Sequence, residues 1–230
     1  VWSFIVSLLL VLLTGRRRTL TDILKKRKLR FTVYLTSLAI SVNWLTYVYA
    51  INAGMIIETS LGYFINPLVT IFLGMVILKE KLTSAQMVAL FFASCGVFYI
   101  TWDFGVFPWI AILLAVSFAL YGLLKKMANL DSVASLTAEM LFLSIFALPI
   151  LFYKGYSGTG AMGNSSLYVD LFLAGAGIVS AVPLYLFASG AKSIPLSRVG
   201  FLQYFSPTLS LIIGITIYGE EFTKTHAISF

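Results

Sequence analysis

Apolar residues in this chain run in long blocks, without the strict alternation of a half-buried strand or the one-sided stripe of a soluble surface helix. Predominantly apolar stretches cover 31–53, 57–78, 84–101, 107–124, 133–153, 168–190 and 196–218. At about 1.5 Å of rise per residue, a helix over each of them crosses roughly 30 Å of hydrocarbon. The pattern predicts an all-α polytopic membrane protein. A bundle of buried soluble helices would need charged outer faces, and these blocks have none. Two shorter apolar pieces flank the seven blocks. Val1 to Leu13 begins without Met, a basic n-region or a small-residue cleavage site, so it reads as the tail of a membrane helix and not as a signal peptide. His226 to Phe230 reads as the start of a further span.

The blocks repeat. Pro67 and Pro207 stand 140 positions apart, and in the same register Asn66 meets Ser206, Gly74 meets Gly214, Glu80 meets Glu220, Thr83 meets Thr223, Val42 meets Val182 and Tyr47 meets Phe187. Self-similarity at one fixed offset is a sign of duplicated architecture. The offset carries 31–53 onto 168–190 and 57–78 onto 196–218, a displacement of five helices. Five is odd, so equivalent helices are expected to cross the membrane in opposite directions, as in the inverted repeats of many carriers. The expected organisation is two five-helix halves, 1–101 and 107–230. The whole would have ten spans, of which this chain lacks the first and carries the second and last truncated.

Composition agrees with the blocks: 60% of residues are apolar, 11% are charged and mean hydropathy is +0.96. A soluble domain of this size needs far less apolar surface to fill a core. The net charge of +7 is concentrated, with Arg16, Arg17, Arg18, Lys25, Lys26, Arg27, Lys28 and Arg30 in one connection. The positive-inside rule assigns that loop to the cytoplasm. Counting spans onward, Lys79, Lys81, Lys125, Lys126, Lys192 and Arg198 fall on the same side. The basic run therefore reads as an orientation signal with some attraction to lipid headgroups, and no nucleic-acid partner is expected. Cys95 is the single cysteine and His226 the single histidine, so no disulfide, Cys/His metal pattern or cofactor is expected.

Several runs carry a resemblance. Asn43 to Ala50 (NWLTYVYA), Glu58 to Leu68 (ETSLGYFINPL), Val182 to Phe187 (VPLYLF) and Pro195 to Tyr204 (PLSRVGFLQY) resemble the RarD branch of the EamA transporters, in the drug/metabolite transporter superfamily. The resemblance covers nearly the whole chain. It implies a ten-helix inverted-repeat carrier of the bacterial inner membrane, multi-pass, with both termini cytoplasmic, and it names no substrate.

Polar residues inside the spans are the candidate site. Thr59, Tyr63, Asn66 and Thr70 follow one another at steps of four, three and four, which places them on one helical face. The register maps them to Val199, Gln203, Ser206 and Ser210. Matching stripes on equivalent helices fit a shared substrate cavity; hydrogen bonding between helices, worth about 0.6 kcal/mol each on average, is the plainer reading. Pro67 and Pro207 each free a backbone carbonyl one turn back, near the middle of their spans. Trp102, Trp109, Tyr99, Tyr121, Tyr153 and Tyr168 lie near span ends and read as an interfacial belt. Asn43, Trp44 and Tyr47 lie near the centre of 31–53, where the aromatic pair could stack on a flat or cationic substrate or simply pack. With Tyr63, Gln203 and Tyr204 they make up the expected lining.

Glu139 lies about a turn and a half inside 133–153, where an ionised carboxylate costs about 2.5–3.5 kcal/mol on insertion scales. It needs a partner, a cavity or a proton. It is read either as a proton-coupling group or as an interfacial carboxylate reaching toward Lys125 or Lys126. Glu80 and Glu220 precede Thr83 and Thr223 at helix junctions, and Thr83 with Gln86 fits a capping box. Gly177 and Ala181 have the spacing of a close helix contact.

Three function classes follow. The first is a secondary transporter, exporting a small organic solute by alternating access. The second is a membrane scaffold or sensor with a transporter fold and no flux. The third, an enzyme, lacks a paired acid–base cluster, metal ligands or a nucleophile with its base, and an ATP-driven pump lacks a phosphate-binding loop.

Overall fold

The structure, a computed structural model, describes residues 1–103, 105–161 and 166–217. Glu220, Thr223 and His226 lie outside the described residues. The described residues form α1 (Trp2–Leu13), α2 (Arg17–Lys25), α3 (Arg27–Asn52), α4 (Ile56–Val76), α5 (Ser84–Asp103), α6 (Trp109–Ala128), α7 (Ser132–Tyr156), α8 (Leu167–Ser193), α9 (Leu196–Gln203) and α10 (Phe205–Ile217), with no strand among them. Among the described residues seven segments are long and apolar enough to span a membrane: α3 to α8, and α9 with α10 taken together. Helices suit this solvent because each satisfies its own backbone polar groups where no water is available. The protein is an all-α, multi-pass membrane protein.

The helices differ from the hydropathy blocks in three places. α3 starts at Arg27, ahead of the apolar block, so its first turn carries Lys28 and Arg30. The basic connection holds a helix of its own, α2, whose Leu20, Ile23 and Leu24 fall on one face while its arginines and lysine remain exposed. The block 196–218 is not one helix, because α9 ends at Gln203 and α10 begins at Phe205.

The chain folds as two compact units. The first consists of Val1–Leu38 and Leu124–Lys192. In it α1 and α2 pack on α7. Ile23 and Val33 form a core with Ala134 and Ala138, flanked by Leu20, Leu24, Leu29 and Leu130. Asp131 caps α7 by accepting the Ala134 N–H at 2.9 Å, and it also pairs with Arg16. The start of α7 is clamped further by Lys192, which donates to the Leu130 carbonyl at 2.5 Å, while Lys126 donates to the Ala191 carbonyl near the end of α8 at 3.2 Å. Cations at exposed helix carbonyls complement the negative end of the helix dipole.

α8 meets α1 at Gly177, with Ala181 fully buried one turn on. A Cβ on Gly177 would stand 2.6 Å from the Trp2 Cβ and 2.7 Å from its carbonyl carbon, so only glycine allows this approach. A Cβ on Gly175 would meet no neighbouring helix or side chain within 4 Å. Gly177→Leu is therefore expected to destabilise the protein by about 1–3 kcal/mol, the usual cost of overpacking, and Gly175→Leu to leave it unchanged. Thermal unfolding of the two variants in one detergent is the check; equal melting temperatures would show that α1 does not pack there.

The second unit consists of Ala39–Leu123 and Ser193–Phe230. Its centre is α4, which packs on α9, α5 and α10. Gly62 brings α4 onto α6, where an added Cβ would stand 3.3 Å from the Ala111 carbonyl oxygen and the Leu114 Cβ. α5 has no buried residue and exposes Phe91, Phe92 and Phe98, as a helix bathed in lipid does. Its start is the expected capping box: the Thr83 N–H donates to Gln86 Oε1 at 2.9 Å and the Gln86 N–H to Thr83 Oγ1 at 3.3 Å. Of the aromatics read as a belt, Trp102, Trp109, Tyr153 and Tyr168 are well exposed, whereas Tyr121 is fully buried in α6. Tyr121 is a core residue, because the face of α6 that carries it also carries the buried Leu114 and Ser117.

Candidate functional site

The polar residues expected to line a site, from Asn43 to Ser210, all belong to the second unit, on α3, α4, α9 and α10. α4 runs unbroken through Pro67. The α9–α10 segment does not. Pro207 has no N–H to return to the Gln203 carbonyl, and the chain closes α9 with a bond from the Tyr204 N–H to the Phe201 carbonyl at 3.3 Å. α10 resumes with the Thr208 N–H on the Tyr204 carbonyl at 3.2 Å. The break therefore falls at Tyr204, one turn before the proline.

α9 lies directly against the proline turn of α4. A Cβ on Gly200 would stand 2.6 Å from Ile71 Cγ1 and 2.9 Å from the Pro67 carbonyl oxygen. Leu196, Val199 and Pro67 are buried alongside. At the far end of this contact, both polar atoms of the Gln203 side chain and the Tyr204 hydroxyl are buried and make no hydrogen bond.

The other expected lining residues are placed as follows. Tyr47 of α3 and Tyr63 of α4 meet edge to face, ring centroids 6.4 Å apart at 65°, and both rings stay partly exposed. Trp44 is half-buried on α3, one turn before Tyr47. Asn43 is already engaged, its Nδ2 donating to the Leu114 carbonyl at 2.9 Å and to Ser117 Oγ at 3.1 Å on α6. Thr59 is buried and donates to the Ile56 carbonyl of its own helix, and Thr70 is buried with its hydroxyl 3.4 Å from Asn66 Oδ1. Ser206 and Ser210 are exposed on α10. The fold thus joins Tyr47 to Tyr63 and Asn66 to Thr70. It gives Asn43 and Thr59 packing partners and leaves the polar ends of Gln203 and Tyr204 without any.

A residue that the sequence suggested only as a helix end holds α9 in place. The carboxylate of Glu80 accepts the Leu196 N–H at 2.8 Å on Oε1 and the Ser197 N–H at 2.8 Å on Oε2. It thus caps the positive end of α9 from the segment that follows α4. Gly74 makes the approach feasible, since a Cβ there would stand 2.8 Å from Glu80 Oε2 and 2.9 Å from the Ser197 nitrogen. The Glu80 N–H returns to the Gly74 carbonyl at 3.1 Å, and Lys79 takes a positive φ of 55° to make the turn. The recurrence of Glu80 at Glu220 was the signal available in the sequence.

In the first unit, Glu139 is fully buried. Its Oε1 accepts from Lys125 Nζ at 2.8 Å and from Thr36 Oγ1 at 2.7 Å, and Lys125 also donates to Ser135 Oγ at 2.8 Å. Lys125, expected as a charge marking the membrane face, is itself only 4% exposed. It is withdrawn from solvent because the buried carboxylate needs a counter-charge.

Seven apolar membrane-length helices carrying proline-marked polar positions define the general class, a multi-pass helical membrane protein. The EamA-like transporter family matches residues 1–102 and 107–230, and the chain belongs to that family. It is 44% identical to the uncharacterized transporter YojE of Bacillus subtilis (strain 168), over 90% of this chain and 69% of that protein. It is 38% identical to the protein RarD of Escherichia coli (strain K12) and 39% identical to that of Salmonella typhi, in each case over 96% of this chain and 75% of the relative. The chain is a membrane transporter of this family.

Proposed function

We propose that the protein is a secondary transporter of the bacterial inner membrane that moves a small organic solute outward by alternating access. The observation that carries this reading is the unpartnered pair Gln203 and Tyr204 at the break between α9 and α10. A buried polar group without a partner costs about 1–3 kcal/mol, and a broken membrane helix is where carriers of inverted-repeat design present free polar groups to a substrate. In this reading Gln203 and Tyr204 bind the solute with Tyr63, Asn66 and Thr70, while Trp44 and Tyr47 stack on it. Asn43, Thr59, Ser206 and Ser210 complete the lining in another state of the carrier. The halves 1–101 and 107–230 rock against each other as an inverted repeat, and the basic loop 16–30 faces the cytoplasm.

Glu139 is the proposed proton-coupling group. Taking up a proton cancels its charge and removes the ionic part of its bond to Lys125, a local change of the kind that biases a two-state packing.

Flux measured in proteoliposomes against a panel of small organic solutes tests this reading and separates it from a scaffold or sensor, which would show none. Gln203→Ala and Trp44→Ala are expected to lower flux of the transported solute about tenfold each, the effect of about 1.4 kcal/mol. A substrate whose flux survives both changes would place the site elsewhere.

A further inference from the structure

The first unit carries a second binding feature, apart from the proposed solute site. An open groove of about 540 Å³ runs along the start of α3, lined by Arg27, Lys28, Arg30, Phe31 and Tyr34. Its two ends differ in chemistry. At one end stand three cations, all exposed, and none of the described lining residues is acidic. At the other, Phe31 is 60% exposed, and Tyr34, one turn on along α3, meets Phe142 of α7 with ring centroids 4.6 Å apart and planes tilted by 39°. Phe142 in turn meets Phe146, one turn further along α7, at 5.2 Å, and Phe146 is 61% exposed. The aromatic ladder therefore leads away from the charged end into the apolar part of α3 and α7.

We propose that this groove is a binding site for one anionic phospholipid, with the phosphate on Arg27, Lys28 and Arg30 and an acyl chain along Phe31, Tyr34 and Phe146. Two facts select this occupant. Three cations clustered in a groove with no acidic lining residue complement a phosphate, and clusters of this kind beside a membrane span attract anionic lipid. The wall continues as exposed aromatic surface at membrane depth, which a free phosphate or a soluble nucleotide would leave uncovered. The groove opens on α3 close to the core of Ile23, Val33, Ala134 and Ala138, so a seated lipid braces α2 and α3 against α7.

The test is lipid retention by the purified protein in detergent, read by native mass spectrometry with phosphatidylglycerol, phosphatidylcholine and inorganic phosphate as probes. One phosphatidylglycerol is expected to be retained in preference to phosphatidylcholine, and inorganic phosphate is not expected to displace it. Arg27→Gln with Arg30→Gln should weaken retention about thirtyfold, at about fivefold per cation near a membrane surface. Arg17→Gln with Arg18→Gln removes the same charge from the same basic stretch but outside the groove, and should leave retention nearly unchanged. Phe31→Gln should weaken retention while leaving the preference for phosphatidylglycerol over phosphatidylcholine intact. Equal losses in the two arginine pairs would mean diffuse attraction with no site and would overturn the assignment, as would displacement by inorganic phosphate. None of these readings depends on transport, so the outcome stands apart from that of the flux experiment.

Discussion

Replacing Lys125 by methionine is expected to destabilise the folded protein by about 3–5 kcal/mol, because it leaves the Glu139 carboxylate buried without its counter-charge. Thr36 still donates to Oε1, but a neutral hydroxyl does not offset a desolvated negative charge. Glu139→Leu alone should cost a similar amount by stranding the lysine. The double change Lys125→Met with Glu139→Leu should recover most of the loss, since an apolar pair of similar volume removes both desolvation penalties together. Thermal unfolding in detergent reads all three variants. A double variant no more stable than either single one would show that the two groups are not coupled. The proposed role in transport needs a separate readout. Glu139→Gln keeps an acceptor for Thr36 and Lys125 but cannot release a proton, so the folded variant should lose the pH dependence of flux. Proton-driven flux that persists unchanged would remove Glu139 from the coupling mechanism and leave it a structural ion pair.

How much of this was legible beforehand depended on whether a feature was local. Six of the seven apolar blocks became single helices and the seventh became α9 and α10, because a segment in lipid has no other way to satisfy its backbone, and hydropathy alone reveals such a segment. The Thr83–Gln86 box was legible for the same reason, as both partners lie within one turn. Pro207 signalled disruption, and the break fell where its missing N–H requires. Pro67 carried the same signal yet α4 runs on through it, with α9 packed across that turn. The failures were long-range. Tyr121 reads as an interfacial residue until its face of α6 is covered, and although the sequence offered Lys125 as a partner of Glu139, it did not reveal that the pair is drawn out of solvent. Asn43 stood with the candidate lining in sequence, and only the packed fold shows its amide donating to α6, 71 and 74 positions away. Among the candidate residues, spacing placed Thr59, Tyr63, Asn66 and Thr70 on one face of α4. It could not tell the satisfied Thr59 and Thr70 from the unsatisfied Gln203 and Tyr204, because that distinction is made by neighbours.

Loss of the Glu80 carboxylate is expected to free α9 more than any change within α9 itself. Its two bonds reach Leu196 and Ser197 from 116 and 117 positions away, so no local cap can substitute. Hydrogen bonds to a charged group contribute about 1.5–3 kcal/mol each. Glu80→Ala should therefore cost about 3 kcal/mol of local stability and, if α9 presents Gln203 to the solute, at least about tenfold in flux. Glu80→Gln offers one carbonyl oxygen where the carboxylate offers two, and should fall between. Gly74→Ala attacks the same contact from the other side, since its Cβ would have to displace Oε2 and the Ser197 N–H together. Hydrogen–deuterium exchange localises the effect: amides in 196–203 should exchange faster in all three variants, while those in α7, which belongs to the other unit, should not. Faster exchange spread equally over both units would indicate global loosening and argue against a cap. Unchanged exchange in 196–203 would mean that α9 is held by its packing on Pro67 and Ile71 alone. A selective increase accompanied by lost flux would tie the position of this half-helix to transport, as the unpartnered side chains at its far end require.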